Sequence, residues 1–338
     1  MKMPRVEFPR YGDVNAAGVE TPFSEGGASS SGLDVSATES DFSRLPAQRQ
    51  PATPLGMILV ASGILSMEDI DRVLAHQKER GIRFGEAAVE LELATSAEVQ
   101  RALARQYSYP YLLSPPDAKS LSSDLVAAYD PYSVGTEHLR AIRSQLLLHW
   151  HRPSEGRQVL TVVGTNPGEG RSYLSANLAV LFAQMGERTL LIDANLRTPR
   201  LHTMFMLRNQ VGLSSVLAGL SSESASVAIA ELPGLTVLPA GPIPPNPVEL
   251  LHGRRFELLL RRARAGFSVI IIDTPSIAHG EEAVVAAVRS DGVLAIASKH
   301  QTRKGAFAEM MHGLQQAGAS VIGTVLNDAA VQPIQAKP

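Results

Sequence analysis

At 338 residues the chain is long enough for one full α/β domain and a smaller companion. Its 31 Lys and Arg against 33 Asp and Glu leave a net charge of −2, which excludes a protein held on nucleic acid by bulk electrostatics, and without cysteine it can form neither a disulfide nor a thiolate metal site. No apolar run reaches the length of a signal core or a membrane span, so the sequence reads as a soluble, cytoplasmic protein.

Residues 1–52 are rich in Ser, Gly, Ala and Pro ("SEGGASSSGLDVSATESDFS") and have too few aliphatic residues to offset their ordering entropy, which predicts a disordered tail. From Pro54 the chain nearly repeats itself: "PLGMILVASGILSMEDIDRVLAHQ" aligns with "RFGEAAVELELATSAEVQRALARQ", beginning at Arg83. In each copy a capping box (Ser66 with Asp69, Thr95 with Glu98) opens a helix with apolar residues at helical spacing, such as Ile70, Val73 and Leu74. Two helix–turn–helix units packed face to face predict a small all-α domain over 53–112. The Pro/Ser-rich stretch 113–135 reads as a linker or an extended segment laid on a neighbour. "TEHLRAIRSQLLLHW" then places Leu139, Ile142, Leu146 and Trp150 on one stripe of an amphipathic helix.

Beyond it, "QVLTVVG", "RTLLIDA", "LTVLPAG", "SVIIIDT", "DGVLAIAS" and "VIGTVLN" are short aliphatic runs separated by helical stretches. That is the pattern of buried parallel strands joined by crossover helices, so 136–328 is expected to be α/β with a mostly parallel, doubly wound sheet, followed by a short tail, 329–338.

The first of these strands runs into "GTNPGEGRSYLSANLA", a phosphate-binding loop in its expected strand-to-helix context. Gly168 and Gly170 let backbone N–H groups turn towards phosphate at a helix N-terminus, and Ser172 can offer its hydroxyl to Mg²⁺. The pattern is imperfect: Gly164 comes one place early, Thr165 stands at the first glycine position, and Arg171 replaces the lysine. Asp193 ends the next strand pattern, and Asp273 ends "SVIIIDT" in the same way. A parallel sheet delivers such strand ends to one crevice, and Mg²⁺ usually takes one or two carboxylates plus phosphate oxygens. Each aspartate taken singly also fits a strand-end helix cap.

From Thr136 to Asn327 the chain resembles the bacterial tyrosine kinases (BY-kinases) of capsule and exopolysaccharide export, of the separate, EpsG-like chain length determinant type. The residues that carry the resemblance are "EHLRAIR", "NPGEGRSYLSANLA", "LLIDANLRTPRLHTMF", "GLSSVLAG", "LPAGPIPPNPVELL", "IIIDTP" and "VIGTVLND". It implies a P-loop fold and ATP-dependent phosphorylation of tyrosine. The implied nucleotide site comprises Thr165, Asn166, Pro167, Gly168, Glu169, Gly170, Arg171, Ser172 and Tyr173, with Asn327. Ser172, Asp193 and Asp273 are the implied Mg²⁺ set, and Asp193, Arg171 and Asp273 the catalytic one. Glu137, Arg140 and Arg143 would mediate ring-like self-assembly, although spacing alone equally describes a solvated helix face with an i,i+3 ion pair. An inner-membrane chain-length or co-polymerase protein is the implied activator, recruiting the chain to the membrane, and a tyrosine-bearing protein is the implied substrate.

Three features depart from that pattern. Arg171 keeps the charge but as a planar fork, Asn195 stands where many members carry a second Asp, and "DAAVQPIQAKP" after Asn327 has no tyrosine. Phosphotyrosine would therefore fall on Tyr11, Tyr107, Tyr109, Tyr111, Tyr129, Tyr132 or Tyr173, or on another protein. A regulatory P-loop ATPase and a nucleotide-binding pseudokinase scaffold remain as alternatives; Asn166 lacks the lysine that would support a positioning ATPase. Residues 54–106 resemble the N-terminal domain of type II secretion and pilus ATPases, some of which bind cyclic-di-GMP. Pro54 and Glu92 break the ligand-binding form of that motif, which favours docking over cyclic-di-GMP.

Overall fold

The computed structural model describes residues 6–7, 54–106, 112, 121–155, 158–221 and 225–328. Most of the expected N-terminal tail, the segment 113–120, the C-terminal tail and Tyr11, Tyr107, Tyr109 and Tyr111 lie outside them. The chain divides into two compact units, Arg10–Ser108 and the remainder.

In the described part of the smaller unit the repeat is visible as α1 (Leu55–Ala61) and α2 (Met67–Arg80), followed by α3 (Phe84–Glu90) and α4 (Ser96–Gln106). The two copies interlock, α1 against α4 and α2 against α3. Val73, Ala87, Ala88 and Val99 form one buried cluster and Ile58, Leu59, Leu65 and Ala102 a second. Leu74 is 48% exposed, so the apolar stripe of α2 is narrower than the sequence suggests. Capping boxes start α2 at Ser66 and α4 at Thr95, where Asp69 and Glu98 accept the backbone N–H of the capping residue. The tight turns fall at equivalent places: Gly63 has φ +70°, and Glu92 adopts φ +56° at the position where the first copy has glycine.

The larger unit is built on an eight-stranded sheet. In chain order its elements are β1 (Val6–Glu7), α5 (Val126–Tyr129), α6 (Val134–His149), β2 (Val159–Gly164), α7 (Arg171–Gln184), β3 (Thr189–Asp193), α8 (Leu201–Met204), α9 (Leu213–Ala218), β4 (Val227–Ala228), β5 (Leu235–Leu238), α10 (Pro247–His252), α11 (Arg254–Gly266), β6 (Val269–Asp273), α12 (Glu282–Val288), β7 (Gly292–Ser298), α13 (Lys304–Gln316) and β8 (Val321–Asn327). The strand order is β1-β8-β7-β2-β6-β3-β5-β4, parallel from β8 to β5, with antiparallel β1 and β4 at the edges. The six aliphatic runs of the sequence are the six parallel strands, and β2, β3 and β6 are buried at every position.

Topology positions the site. After β2 the chain skips a place to β3, moves outward to β5, and returns to insert β6 between β2 and β3. The ends of β2, β3 and β6 therefore meet at one crevice, which is where a doubly wound sheet binds ligands. α7 is buried on nearly all sides, and α6 covers it through Leu139, Ile142, Leu146 and Trp150, each no more than 5% exposed. Residues 121–129 lie on the same core: Leu121, Leu125, Ala127 and Ala128 are buried there, and the Asn177 side chain accepts the Ala127 N–H at 3.0 Å.

Candidate active site

The loop between β2 and α7 ends at Gly170, the N-cap of α7, with φ +97°. A Cβ there would lie 2.6 Å from Asn327 Nδ2, so glycine is required by both conformation and space. Asn327 donates to the Glu169 carbonyl at 3.1 Å and ties the loop to the end of β8. Pro167 and Gly168 form the exposed tip, and Gly168 also has positive φ, +80°. Thr165 is buried, and its carbonyl accepts the Ala278 N–H at 3.1 Å.

Arg171 is 8% exposed. It donates from Nε to the Thr274 carbonyl at 3.2 Å and from Nη1 to the Asn166 carbonyl at 2.6 Å, with Glu169 Oε2 at 3.4 Å. Burial pulls its pKa below the ordinary arginine value, against the opposing pull of Asp273 and Glu169. Ser172 donates to Asp273 Oδ2 at 2.6 Å and Ser175 to Oδ1 at 3.2 Å. Tyr173 is half-buried, and burial, with the Asp124 carboxylate nearby, raises its pKa.

Asp193 and Asp273 are register partners on adjacent parallel strands, both fully buried. Burial pushes Asp273 up to about 6 despite its serine donors and Arg171. Asp193 rises well above the carboxylate range, from burial first and then from the Asp273 charge. It does so while accepting three backbone N–H groups, from Asn195 on Oδ1 (3.2 Å) and from Arg200 (3.2 Å) and Leu201 (3.1 Å) on Oδ2. The cap of α8 and the strand-end carboxylate are thus one residue. Two buried carboxylates raised together form a site where a divalent cation relieves the repulsion, and a hydroxyl with two aspartates beside a phosphate cradle fits Mg²⁺ with a nucleotide. Among the described residues no group of three or more His, Asp or Glu is arranged to hold a metal ion.

The three expected assembly residues separate. Glu137 is exposed and pairs with Arg140, whose side chain is only 19% exposed, whereas Arg143 turns inward and donates to the Leu181 carbonyl at 3.2 Å, near the C-terminus of α7. Asn195 closes a local turn through Thr198, accepting its N–H at 3.1 Å and donating to its carbonyl at 2.8 Å. Ser175, Thr302, Arg197 and Glu282 escaped the sequence reading. Thr302 donates to Glu169 Oε1 at 2.6 Å, and Arg197 clasps the fully buried Glu282 at 2.5 Å, joining the loops after β3 and β6. Ser175 carried a signal, one turn beyond Ser172 on the same helix face; the others are joined only by the fold.

A parallel sheet with this loop after β2 and carboxylates at two neighbouring strand ends defines a P-loop phosphate-handling α/β protein. Residues 157–307 match the family described as cellulose biosynthesis protein BcsQ. The tyrosine-protein kinase YwqD of Bacillus subtilis (strain 168) is 38% identical over 209 residues, covering 61% of this chain and 86% of the relative. The tyrosine-protein kinase ptk of Acinetobacter johnsonii is 32% identical over 71% of this chain, which spans only 32% of that longer protein. Among solved structures, the kinase domain of the Escherichia coli tyrosine kinase ETK superposes with a TM-score of 0.59 at 28% identity, over 67% of this chain and 88% of that one. The chain belongs to the bacterial tyrosine-protein kinases.

Proposed function

We propose that the chain uses Mg-ATP to phosphorylate tyrosine, on its own copies or on a partner protein, in a system that controls the length or export of an extracellular polysaccharide. The observation that carries the reading is the pair Asp193 and Asp273, buried as register partners at neighbouring strand ends, with Ser172 of the phosphate loop donating to Asp273. ATP supplies the phosphoryl group, and Mg²⁺ bound with it neutralises charge on the phosphates. Ser172 and Asp273 are placed to hold the ion, the N–H groups of the loop and of the first turn of α7 to hold the phosphates, and Arg171 to add positive charge. Phosphoryl transfer has a loose transition state, so positioning and neutralisation carry most of the catalysis. Asp193 orients the acceptor hydroxyl, whose pKa near 10 keeps its proton in place until late, and then collects that proton.

The ion pair of the exposed Glu137 with the partly buried Arg140 on α6 supports self-assembly through that face, with Arg143 holding the helix to its own domain. For the paired repeats, Pro54 and Glu92 favour docking, including to a membrane-bound chain-length partner, over cyclic-di-GMP. No helix among the described residues is long and apolar enough to cross a membrane, so membrane attachment through these residues would need such a partner.

The deciding experiment is mass spectrometry of the purified chain after incubation with Mg-ATP, beside Asp193→Asn and Arg171→Lys. Phosphotyrosine on the parent and none on Asp193→Asn is the expected result. Label on Arg171→Lys alone would replace the kinase reading with that of a nucleotide-binding scaffold.

A further inference from the structure

Arg171 is held at two of its three guanidinium nitrogens. Nε and Nη1 take the Thr274 and Asn166 carbonyls and lie against Glu169, while Nη2 makes no hydrogen bond among the described residues. Glu169 is itself fixed from behind. It is fully buried, and its Oε1 accepts from Thr302 Oγ1 at 2.6 Å and from Asn166 Nδ2 at 3.2 Å. Thr302 lies in the turn after β7, where its hydroxyl also accepts the Ser298 N–H at 2.8 Å. The acid and the arginine lie over the bare Cα of Gly164: a Cβ there would come within 2.6 Å of Glu169 Oε2 and 2.7 Å of Arg171 Nη1. The glycine that seemed one place early in the sequence is the floor on which this pair rests.

A lysine ammonium is a compact charge with three rotatable donors and needs little orienting. A guanidinium is a rigid fork whose edges differ, so which edge faces the ligand has to be set by neighbours. A fully buried carboxylate persists only when paired and hydrogen-bonded, and here its cation is the arginine of the loop. We propose that Glu169 and Thr302 are positioning residues that fit this phosphate loop to an arginine. Thr302 fixes the Glu169 carboxylate. Glu169, with the two carbonyls, fixes the guanidinium through Nε and Nη1, and Nη2 is left to meet a phosphate oxygen. The inference rests on the nucleotide site proposed above and adds the residues that make its arginine usable.

The test is equilibrium binding of methylanthraniloyl-ATP with Mg²⁺ to the full chain, with thermal unfolding of the nucleotide-free protein measured in parallel. Glu169→Gln keeps the shape and removes the charge; Thr302→Val removes the hydroxyl and Thr302→Ser retains it. Glu169→Gln and Thr302→Val should each weaken binding about tenfold, Thr302→Ser should restore it, and in an Arg171→Ala background the same changes should alter affinity by less than about twofold. Equal losses in both backgrounds, or a serine that fails to rescue, would show that these residues merely hold the fold. If Glu169→Gln does not fold, the threonine pair decides. A parent that binds no nucleotide overturns both the positioning role and the proposed function; a parent and a Glu169→Gln variant that bind equally well overturn the positioning role alone.

Discussion

Acidic side chains behave in opposite ways in the two units of this chain. In the helical repeats, Asp69 and Glu98 lie at the surface, and the N–H and hydroxyl of Ser66 and Thr95 hold their pKa values below the ordinary carboxylate range. In the crevice of the sheet, Asp193 and Asp273 are raised. The number of donors does not explain the difference, since Asp193 accepts three backbone N–H groups. Burial beside a like charge outweighs them. A carboxylate that ends a helix in water is satisfied by its own chain, whereas one buried beside another is incomplete until a cation arrives, and that incompleteness marks the functional end of the molecule.

The largest expected effect tests that contrast directly. Asp273→Asn or Asp193→Asn should lower phosphotyrosine formation by at least about a hundredfold. The unfolding temperature of nucleotide-free Asp273→Asn should nevertheless rise at neutral pH, because a buried charge has been removed; a fall would mean that the pair is structural. A smaller effect concerns pH. Asp273 titrates at 3.8 in the absence of its surroundings and at about 6 when folded, so the folded state holds the proton more tightly. Its contribution to stability is fully present below pH 3.8 and is lost as pH rises through about 6. Asp69 and Glu98 carry the opposite sign: their contribution is present above their ordinary values and lost on acidification. Melting curves of the nucleotide-free chain from acid to neutral pH should therefore show a declining component that Asp273→Asn flattens. The smallest effect is Thr95→Ala, which removes the α4 cap and should cost about 1 kcal/mol within the helical unit by denaturant titration. Nucleotide binding should not change; if it does, the repeats influence the crevice and the two regions are not independent.

The parallel strands and the phosphate loop were legible because their signals are local: aliphatic runs bounded by turns, and glycines at a strand-to-helix junction. The crevice carboxylates were legible from their places at strand ends. The frame around Arg171 was not, since Glu169 and Thr302 are 133 residues apart and meet only because β7 lies beside β2. Arg197 and Glu282 are hidden in the same way, 85 residues apart. The inward turn of Arg143 was not legible either: three charged residues at helical spacing look alike in sequence, but one of them meets the backbone of α7. Nor does periodicity report packing partners: 121–129 reads as a linker or an extended segment laid on a neighbour, which does not say which core Leu121 and Leu125 enter.

The edges of the sheet bear on how copies of this chain can meet. Each side is closed by a two-residue antiparallel strand, Val6–Glu7 against β8 and Val227–Ala228 against β5. A long, flat outer strand is a template on which a second molecule can extend the ladder, and the β4 edge offers only a stub. At β4, strand-to-strand stacking between copies has almost no register in which to begin, so a ladder cannot run on from that edge into fibres.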